Sequence, residues 1–403
     1  MYPNPKKPTL IFDPFHIEKA ILRKQSYNLR WAEVAEGVIP LTAADLDFPC
    51  APPIVEAIQK YTAKGYFNYG PAEGLPECKQ SISDFFKYKR KINIEPENVL
   101  PVDSAAFGIS LICKAVLSKN DEAIIFDPVD FLFRYSIETA GGVAVTFQIS
   151  PNDETVDFSL IENLITNKTK MICLCNPLNP TGKVFTKAEL EQLANIAIKH
   201  NLIILSDEIW SDIVFQPHQF TSIASLHEEI NQLTVTVTGF SKSYGLAGLR
   251  IGAVLTNNNL LFQHIVKTSL HHSTIHGANV ISQIAATAAL DNCESWLSEF
   301  VTHLHAMRDL CVERINNLKG FSCIAPQGCY VAFANIKNTG MTSAAMHSLL
   351  LNQAKVAVVP GLQEWFGKGA EGYIRFSFAT SEAILNEAFD RIENIINNPT
   401  RFV

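Results

Sequence analysis

The sequence predicts an α/β fold: a mainly parallel sheet buried on both faces, with a second, smaller α/β domain beside it. Three observations carry that expectation. Between about residues 99 and 255, short apolar runs (AIIFDP, GVAVTFQI, KMICLC, LIILSDE, TVTVTGF, RIGAVLT) alternate with helix-like stretches such as TKAELEQLANIAIKHN. Strands separated by helices in this way pair in parallel and are covered on both sides. Hydrophobic content of 47% against charged content of 18% suits large buried sheets. At 403 residues the chain also exceeds what one hydrophobic core serves, so two domains are expected.

In chain order, residues 1 to about 45 begin proline-rich and continue into a predicted helix through RKQSYNLRWAEVAEG. The segment CAPPIVEAIQKYTAKG predicts a helix starting near Pro53, because proline is tolerated in a first turn. The alternating strands and helices follow. After about residue 290 come a long helix (ESWLSEFVTHLHAMRDLCVERINNL), short strands (CYVAFANI, KVAVVP, YIRFSFA) and a closing helix (ILNEAFDRIENIINN). The expected division is a large domain over 46–290, and a small domain built from 1–45 together with 291–403. There is no internal repeat and no low-complexity tract.

Several classes of function are disfavoured. A formal charge of −7, with no run of lysine and arginine, argues against nucleic acid as a partner. No stretch approaches the ~20 apolar residues of a membrane span. The start, MYPNPKKPTLIFDPF, has lysines but no following apolar core of leader length. Nine cysteines occur without a CxxC pair, and Cys173 and Cys175 fall in the apolar run MICLC, so free thiols in a reducing cytoplasm are expected. His271, His272 and His276, in SLHHSTIHGAN, share no carboxylate at a ligand spacing; a solvated turn is expected there, and no metal site.

The stretch VTGFSKSYGLAGLRIG (237–252) carries the most chemistry. A strand-like run leads to Ser241-Lys242-Ser243, then a glycine-rich turn, then Arg250. Lys242 is thereby placed at the mouth of a sheet, where ligands of such folds bind. Small neighbours allow a bulky group to approach it. A lysine so placed can form a Schiff base with a cofactor aldehyde, while the nearby guanidinium holds a phosphate. Asp207 ends the apolar run LIILSD, where a carboxylate can point out of a buried strand. Arg375 sits between apolar residues in EGYIRFSFA, and such a charge needs a partner.

With NPLNPTG, SDEIW, SKSYGLAGLRIG, PQGCY, YIRFSF, LTAADLDFPCAPPIVEAI and YGPAEGLPE in family order, the chain resembles the class I/II aminotransferases, pyridoxal phosphate enzymes of fold type I. The resemblance runs from about Leu41 to Thr380. It implies that Lys242 carries the cofactor and shuttles the Cα proton, and that Asp207 pairs with the ring nitrogen. Asn179 would donate to the ring's O3′, Arg250 and the turn Ser104-Ala105-Ala106 would hold the phosphate, and Ser241 would also bind the cofactor. Phe131 is implied as the ring-stacking aromatic, although DPVDFLFRY departs from the family's proline-x-aromatic spacing and leaves Phe133 or a non-aromatic stack open. Tyr69 would reach the phosphate of a partner subunit in a homodimer with shared sites. Arg375 and, through its backbone, Ala44 would bind the substrate carboxylate, with Asn179 adjoining.

Two departures stand out. Gly239 replaces a hydroxyl that many relatives place on the phosphate. Trp210 stands where relatives carry tyrosine, and an indole can donate but neither accept nor ionise. The reaction implied is amino-group transfer between an amino acid and a 2-oxo acid. A carbon–sulfur β-lyase is the alternative, because ADLDF, NPTGKVF and SDEIWSDIVF resemble cystathionine β-lyase text. A transcriptional regulator on this fold would need an upstream DNA-binding domain, and only about 40 residues precede LTAADLDF.

Overall fold

The computed structural model describes residues 12–153 and 155–397; the proline-rich start, and the leader expectation that rests on it, lie outside the described residues. Among the described residues twelve strands form: β1 Ile39–Pro40, β2 Val99–Val102, β3 Glu122–Asp127, β4 Val143–Gln148, β5 Thr169–Cys175, β6 Ile203–Asp207, β7 Thr234–Gly239, β8 Gly252–Leu255, β9 Val331–Asn335, β10 Val356–Ala357, β11 Val359–Pro360 and β12 Tyr373–Ser377.

Seven strands make one sheet in the order β2-β8-β7-β6-β5-β3-β4. Pairing is parallel from β7 to β4, and β8 alone runs antiparallel to both its neighbours. Two reversals cancel, so β2 points the same way as β7. The carboxyl ends of six strands and the amino end of β8 therefore share one edge. That explains how Arg250, which precedes its strand, joins residues that follow theirs. The direction of strand addition reverses between β3 and β5, and such a reversal opens a crevice at the carboxyl edge. The central strands are buried along nearly their whole length, as their near-continuous apolar runs require. Helix Ala105–Val116 packs on this sheet with Ile109, Ile112 and Cys113 inward.

β11, β12 and β9 form a separate antiparallel sheet. The β1–β10 pair joins the chain before residue 41 to the chain after 355. Helices Glu294–Asn316 and Glu382–Ile396 accompany this sheet, and Phe12, Phe48, Trp296 and Phe300 form an aromatic cluster.

The helix predicted through RKQSYNLRWAEVAEG is a correction: two short helices form instead, Lys19–Lys24 and Leu29–Ala32. Tyr27 between them is left-handed (φ 51°), and the Asn28 side chain caps the second helix through the N–H groups of Arg30 and Trp31. Burial of the next residues favours the break. The Arg30 guanidinium pairs with Asp47 and donates to Ser377 Oγ (3.0 Å), and Trp31 Nε1 donates to Asp47 Oδ1 (2.7 Å).

Asp127, at the end of β3, ties the two sheets together. Its buried carboxylate accepts the N–H groups of Lys368 (3.1 Å) and Gly369 (2.9 Å) and the Gln148 amide (2.9 Å). Gly367 has φ 95°, and a Cβ there would lie 2.5 Å from Asp127 Oδ1, so only glycine fits this approach. Hydrogen bonds to a charged acceptor contribute about 1.5–3 kcal/mol. Asp127→Ala should therefore lower the thermal midpoint by several degrees, and Gly367→Ala should do so too. An unchanged midpoint in both would show the tie to be idle.

Candidate active site

A cavity of about 1080 Å³ lies along the carboxyl edge, against β12 and the loop after β1. Lys242, Asp207, Asn179, Trp210, Ser241 and Arg375 line it, and so do Ala44, Arg250 and the turn Ser104-Ala105-Ala106. The fold thus brings eleven of the thirteen sequence-predicted residues to one surface.

Lys242 follows β7 in a turn fixed by its neighbour: Ser243 Oγ donates to Asp212 Oδ2 (2.9 Å), and Asp212 pairs with Arg90. The Lys242 amine donates to the Ala44 carbonyl (2.5 Å) and lies 5.4 Å from the centre of the Trp210 ring. Burial pushes its pKa below the ordinary lysine value, and Arg375 pushes the same way against Asp45, Asp130 and Asp207.

Asp207 closes β6 and lines the same cavity as this amine. Its carboxylate is held by the Ile209 N–H (3.1 Å) and the Cys175 thiol rather than by a cation. Burial raises its pKa to about 7, with Asp130 and Glu208 adding to the shift. Asn179, in the turn after β5, bridges two charges. Its amide donates to Asp130 Oδ2 (3.0 Å) and accepts from Arg375 Nη1 (2.9 Å). Arg375 Nη2 reaches only the Thr42 carbonyl (3.4 Å), and its Nε is buried without a partner. A buried guanidinium in that condition is open to an anion.

The opposite end of the cavity is built for a second anion. Ser104 caps helix Ala105–Val116, accepting from Phe107 N (3.1 Å), and Arg250 Nη2 donates to the same hydroxyl (3.0 Å). The free N–H groups of the first turn and a permanent charge thus converge there. At Gly252 a Cβ would meet Ala105 N at 2.7 Å, so β8 can press its backbone against that turn. Gly239 also finds a physical reason. A Cβ there would meet Ile209 Cδ1 at 3.2 Å, so Ile209 already fills the space of the missing hydroxyl.

These features fit pyridoxal phosphate. The helix start and Arg250 suit a phosphate. Asp207, a buried carboxyl without a cation, suits a protonated ring nitrogen. Lys242 suits the aldehyde, and the open Arg375 suits a substrate carboxylate.

Two of the predicted residues lie elsewhere. Phe131 is 42% exposed and packs edge-on against Trp365 (6.1 Å), outside the cavity. Backbone pairing explains this correction: Val129 N and Phe131 N donate to the carbonyls of Phe366 and Trp365, and the helix begins only at Leu132. Leu132 and Phe133 line the cavity instead. Tyr69 is 90% exposed, edge-on to His276 (4.7 Å). The expectation of a solvated histidine turn is corrected at His271, which is buried with Nε2 against the Pro101 carbonyl (3.1 Å); His272 contacts Glu73 (2.6 Å) at the surface. Ala44 presents its backbone carbonyl to Lys242. Sequence reasoning gave no role to Asp130 or Tyr330, although DPVDF and PQGCY contain them.

The pattern of the family described as aminotransferase class I and II matches residues 36–392. The chain is 34% identical to an aspartate aminotransferase of Pyrococcus abyssi over 90% of this chain and 94% of that one. It is 32% identical to aromatic-amino-acid aminotransferase 2 of Thermococcus litoralis, over 91% and 93%. A pyridoxal phosphate-bound putative aminotransferase structure from Clostridium difficile superposes with a TM-score of 0.89 at 27% identity, covering 96% of this chain and all of the other (100%).

The raised pKa of Asp207 has a measurable sign. In the cofactor-free chain the folded state holds this proton up to about 7, whereas the unfolded value is near 3.8. The folded state binds more protons between those values, so this group makes stability fall as pH rises from about 4 to about 7. Asp207→Asn removes the dependence. The stability of the cofactor-free variant relative to the parent should therefore grow from pH 5 to pH 8 in thermal melts. A constant difference would place the Asp207 pKa near its ordinary value.

Proposed function

The chain belongs to the aminotransferase class I and II family, a pyridoxal phosphate-dependent enzyme that moves an amino group between an amino acid and a 2-oxo acid, and from that premise we propose how its residues divide the work. One observation carries the proposal: Lys242, Asp207, Arg375 and the Ser104–Arg250 corner converge on one cavity, each short of a partner that cofactor or substrate would supply. When bound, the cofactor supplies an electron sink for the Cα carbanion and carries the amino group between the two acids.

Lys242 is the residue to which the cofactor's aldehyde joins. Burial lowers its proton affinity, a shift toward the neutral amine that suits it to take a proton from the substrate Cα once displaced. Asp207 would stand as the buried counter-charge to a protonated ring nitrogen. Asn179, fixed between Asp130 and Arg375, orients the ring oxygen and steadies the guanidinium. Arg375 grips the substrate α-carboxylate. Arg250 and the N–H groups at Ser104–Ala106 hold the phosphate, with Ser241 beside them.

A homodimer is the functional unit in this reading. Tyr69 lies outside its own cavity, and Tyr66, Phe67, Leu270 and Ile275 are exposed near it in sequence or through the Glu73–His272 contact. Covering them with a second copy would bring Tyr69 to the partner's phosphate. The β1–β10 pairing supports a small domain of 1–45 with 291–403 against a large domain of 46–290. Free cysteines support a cytoplasmic setting, and among the described residues no helix is long and apolar enough to cross a membrane.

Borohydride reduction of the cofactor-loaded protein should fix the cofactor on the peptide containing Lys242; label on another lysine would overturn the assignment. A panel of donors, with aspartate, aromatic amino acids and cystathionine included, should convert the bound cofactor's absorbance once per site when no acceptor is present. Continuous release of pyruvate and thiol from cystathionine with the spectrum unchanged would instead mark a lyase. Arg375→Ala should weaken every donor by roughly 30- to several-thousand-fold, the equivalent of ~2–5 kcal/mol for a desolvated charge pair. A selective loss for one donor would contradict its role at the shared carboxylate.

A further inference from the structure

Trp210 replaces the family's tyrosine, and the geometry around it gives the indole a different task. The Ala44 carbonyl accepts two hydrogen bonds, one from the Lys242 amine (2.5 Å) and one from the Tyr330 hydroxyl (3.2 Å). The Trp210 ring lies beneath the same amine at 5.4 Å and meets the Tyr330 ring edge-on, with centroids 4.6 Å apart. The Ala44 carbonyl and the Trp210 ring thus both meet the amine, and Tyr330 touches each of those two groups.

Tyr330 is the rigid member of the group. It is fully buried, and the backbone holds it on both sides: Cys329 N donates to the Ile213 carbonyl (2.9 Å), and the Tyr330 carbonyl accepts from Phe378 N (3.0 Å). Cys329 adopts φ 64°, a left-handed conformation unusual for a side-chain-bearing residue, which aims the next residue inward. Ala44, by contrast, lies in an irregular loop with no strand or helix to fix its carbonyl. Apart from Lys242, the hydrogen-bond donor that this carbonyl meets among the described residues is the Tyr330 hydroxyl.

We propose that Tyr330 is a positioning residue, holding the Ala44 carbonyl so that this carbonyl and the Trp210 ring form a resting place for the Lys242 amine whenever that amine is not bonded to cofactor. This rests on Lys242 being the cofactor-bearing lysine. A carbonyl can only accept, so it ties one N–H and leaves the remaining valences of the nitrogen facing the cavity. The ring face beneath favours the charged form, offsetting part of the burial that disfavours it. The amine is thereby kept within reach of the substrate Cα between its two duties.

A tyrosine that only satisfies its own buried hydroxyl would predict a loss of stability and nothing more. Tyr330→Phe separates the two roles, because it keeps the ring and removes only the donor. In the cofactor-free dimer or monomer, Lys242 acetylation by acetic anhydride near pH 7 should rise several-fold in Tyr330→Phe, with the exposed Lys64 and Lys319 unchanged as internal references. Trp210→Phe should shift Lys242 reactivity the same way, and it decides the matter if Tyr330→Phe does not fold. In the loaded enzyme, the donor half-reaction of Tyr330→Phe should slow about tenfold, with a larger Cα-deuterium isotope effect and an unchanged donor KM. Unchanged Lys242 reactivity and isotope effect, with only a lower melting temperature, would overturn the proposal. Borohydride label away from Lys242 would instead overturn the parent reading, and the two failures are distinguishable because acetylation is read on the cofactor-free protein.

Discussion

Charge held out of water and short of partners is the constraint on which the rest of this structure depends. Asp207, Arg375 and Lys242 are enclosed at one edge of a sheet, and each has a perturbed proton affinity because burial disfavours its charged form. Left alone, such groups are costly. The chain tolerates them by supplying partial partners: an N–H and a thiol for Asp207, an amide for Arg375, a carbonyl for Lys242. What remains unsatisfied on each group is complementary to one part of pyridoxal phosphate or of an amino acid. In the proposed reading, function is the completion of pairings that folding leaves unfinished.

Topology is what brings these groups together. Six strands present their carboxyl ends to one edge, and the single antiparallel strand β8 returns Arg250 to it from the other direction. The reversal between β3 and β5 opens room for Asp130 and Asn179. The second sheet then sets Arg375 opposite, held there in part by the Asp127 tie across Lys368 and Gly369. Sheet order, a tie between sheets and one helix start are enough to position the cavity.

Much of this was legible in the chain because strand-end chemistry leaves local marks. LIILSD announces a buried strand ending in a carboxylate, and SKSYGLAGLR announces a lysine among small residues with a guanidinium following. Arg375 was visible as a charge inside an apolar strand. Phe131 was misplaced because its direction is set by backbone pairing with residues 365–366, more than two hundred positions away, which no local pattern encodes. The break at Tyr27 was hidden for a similar reason: local periodicity favours a continuous helix, and burial of Arg30 and Trp31 against Asp47 overrides it. Tyr330 and Asp130 stood inside recognised motifs, yet their roles arise only from contacts with Ala44 and Asn179 across the fold.

The most direct test of the account is a crystal structure of this protein grown with pyridoxal phosphate. The account predicts that the cofactor's aldehyde carbon is joined to Lys242 Nζ. The ring nitrogen should lie within hydrogen-bond reach of the Asp207 carboxylate, roughly 2.6–3.2 Å, with the phosphate on the Ser104–Ala106 turn and Arg250. A cofactor joined to another lysine, or a ring whose nitrogen faces away from Asp207, would contradict it.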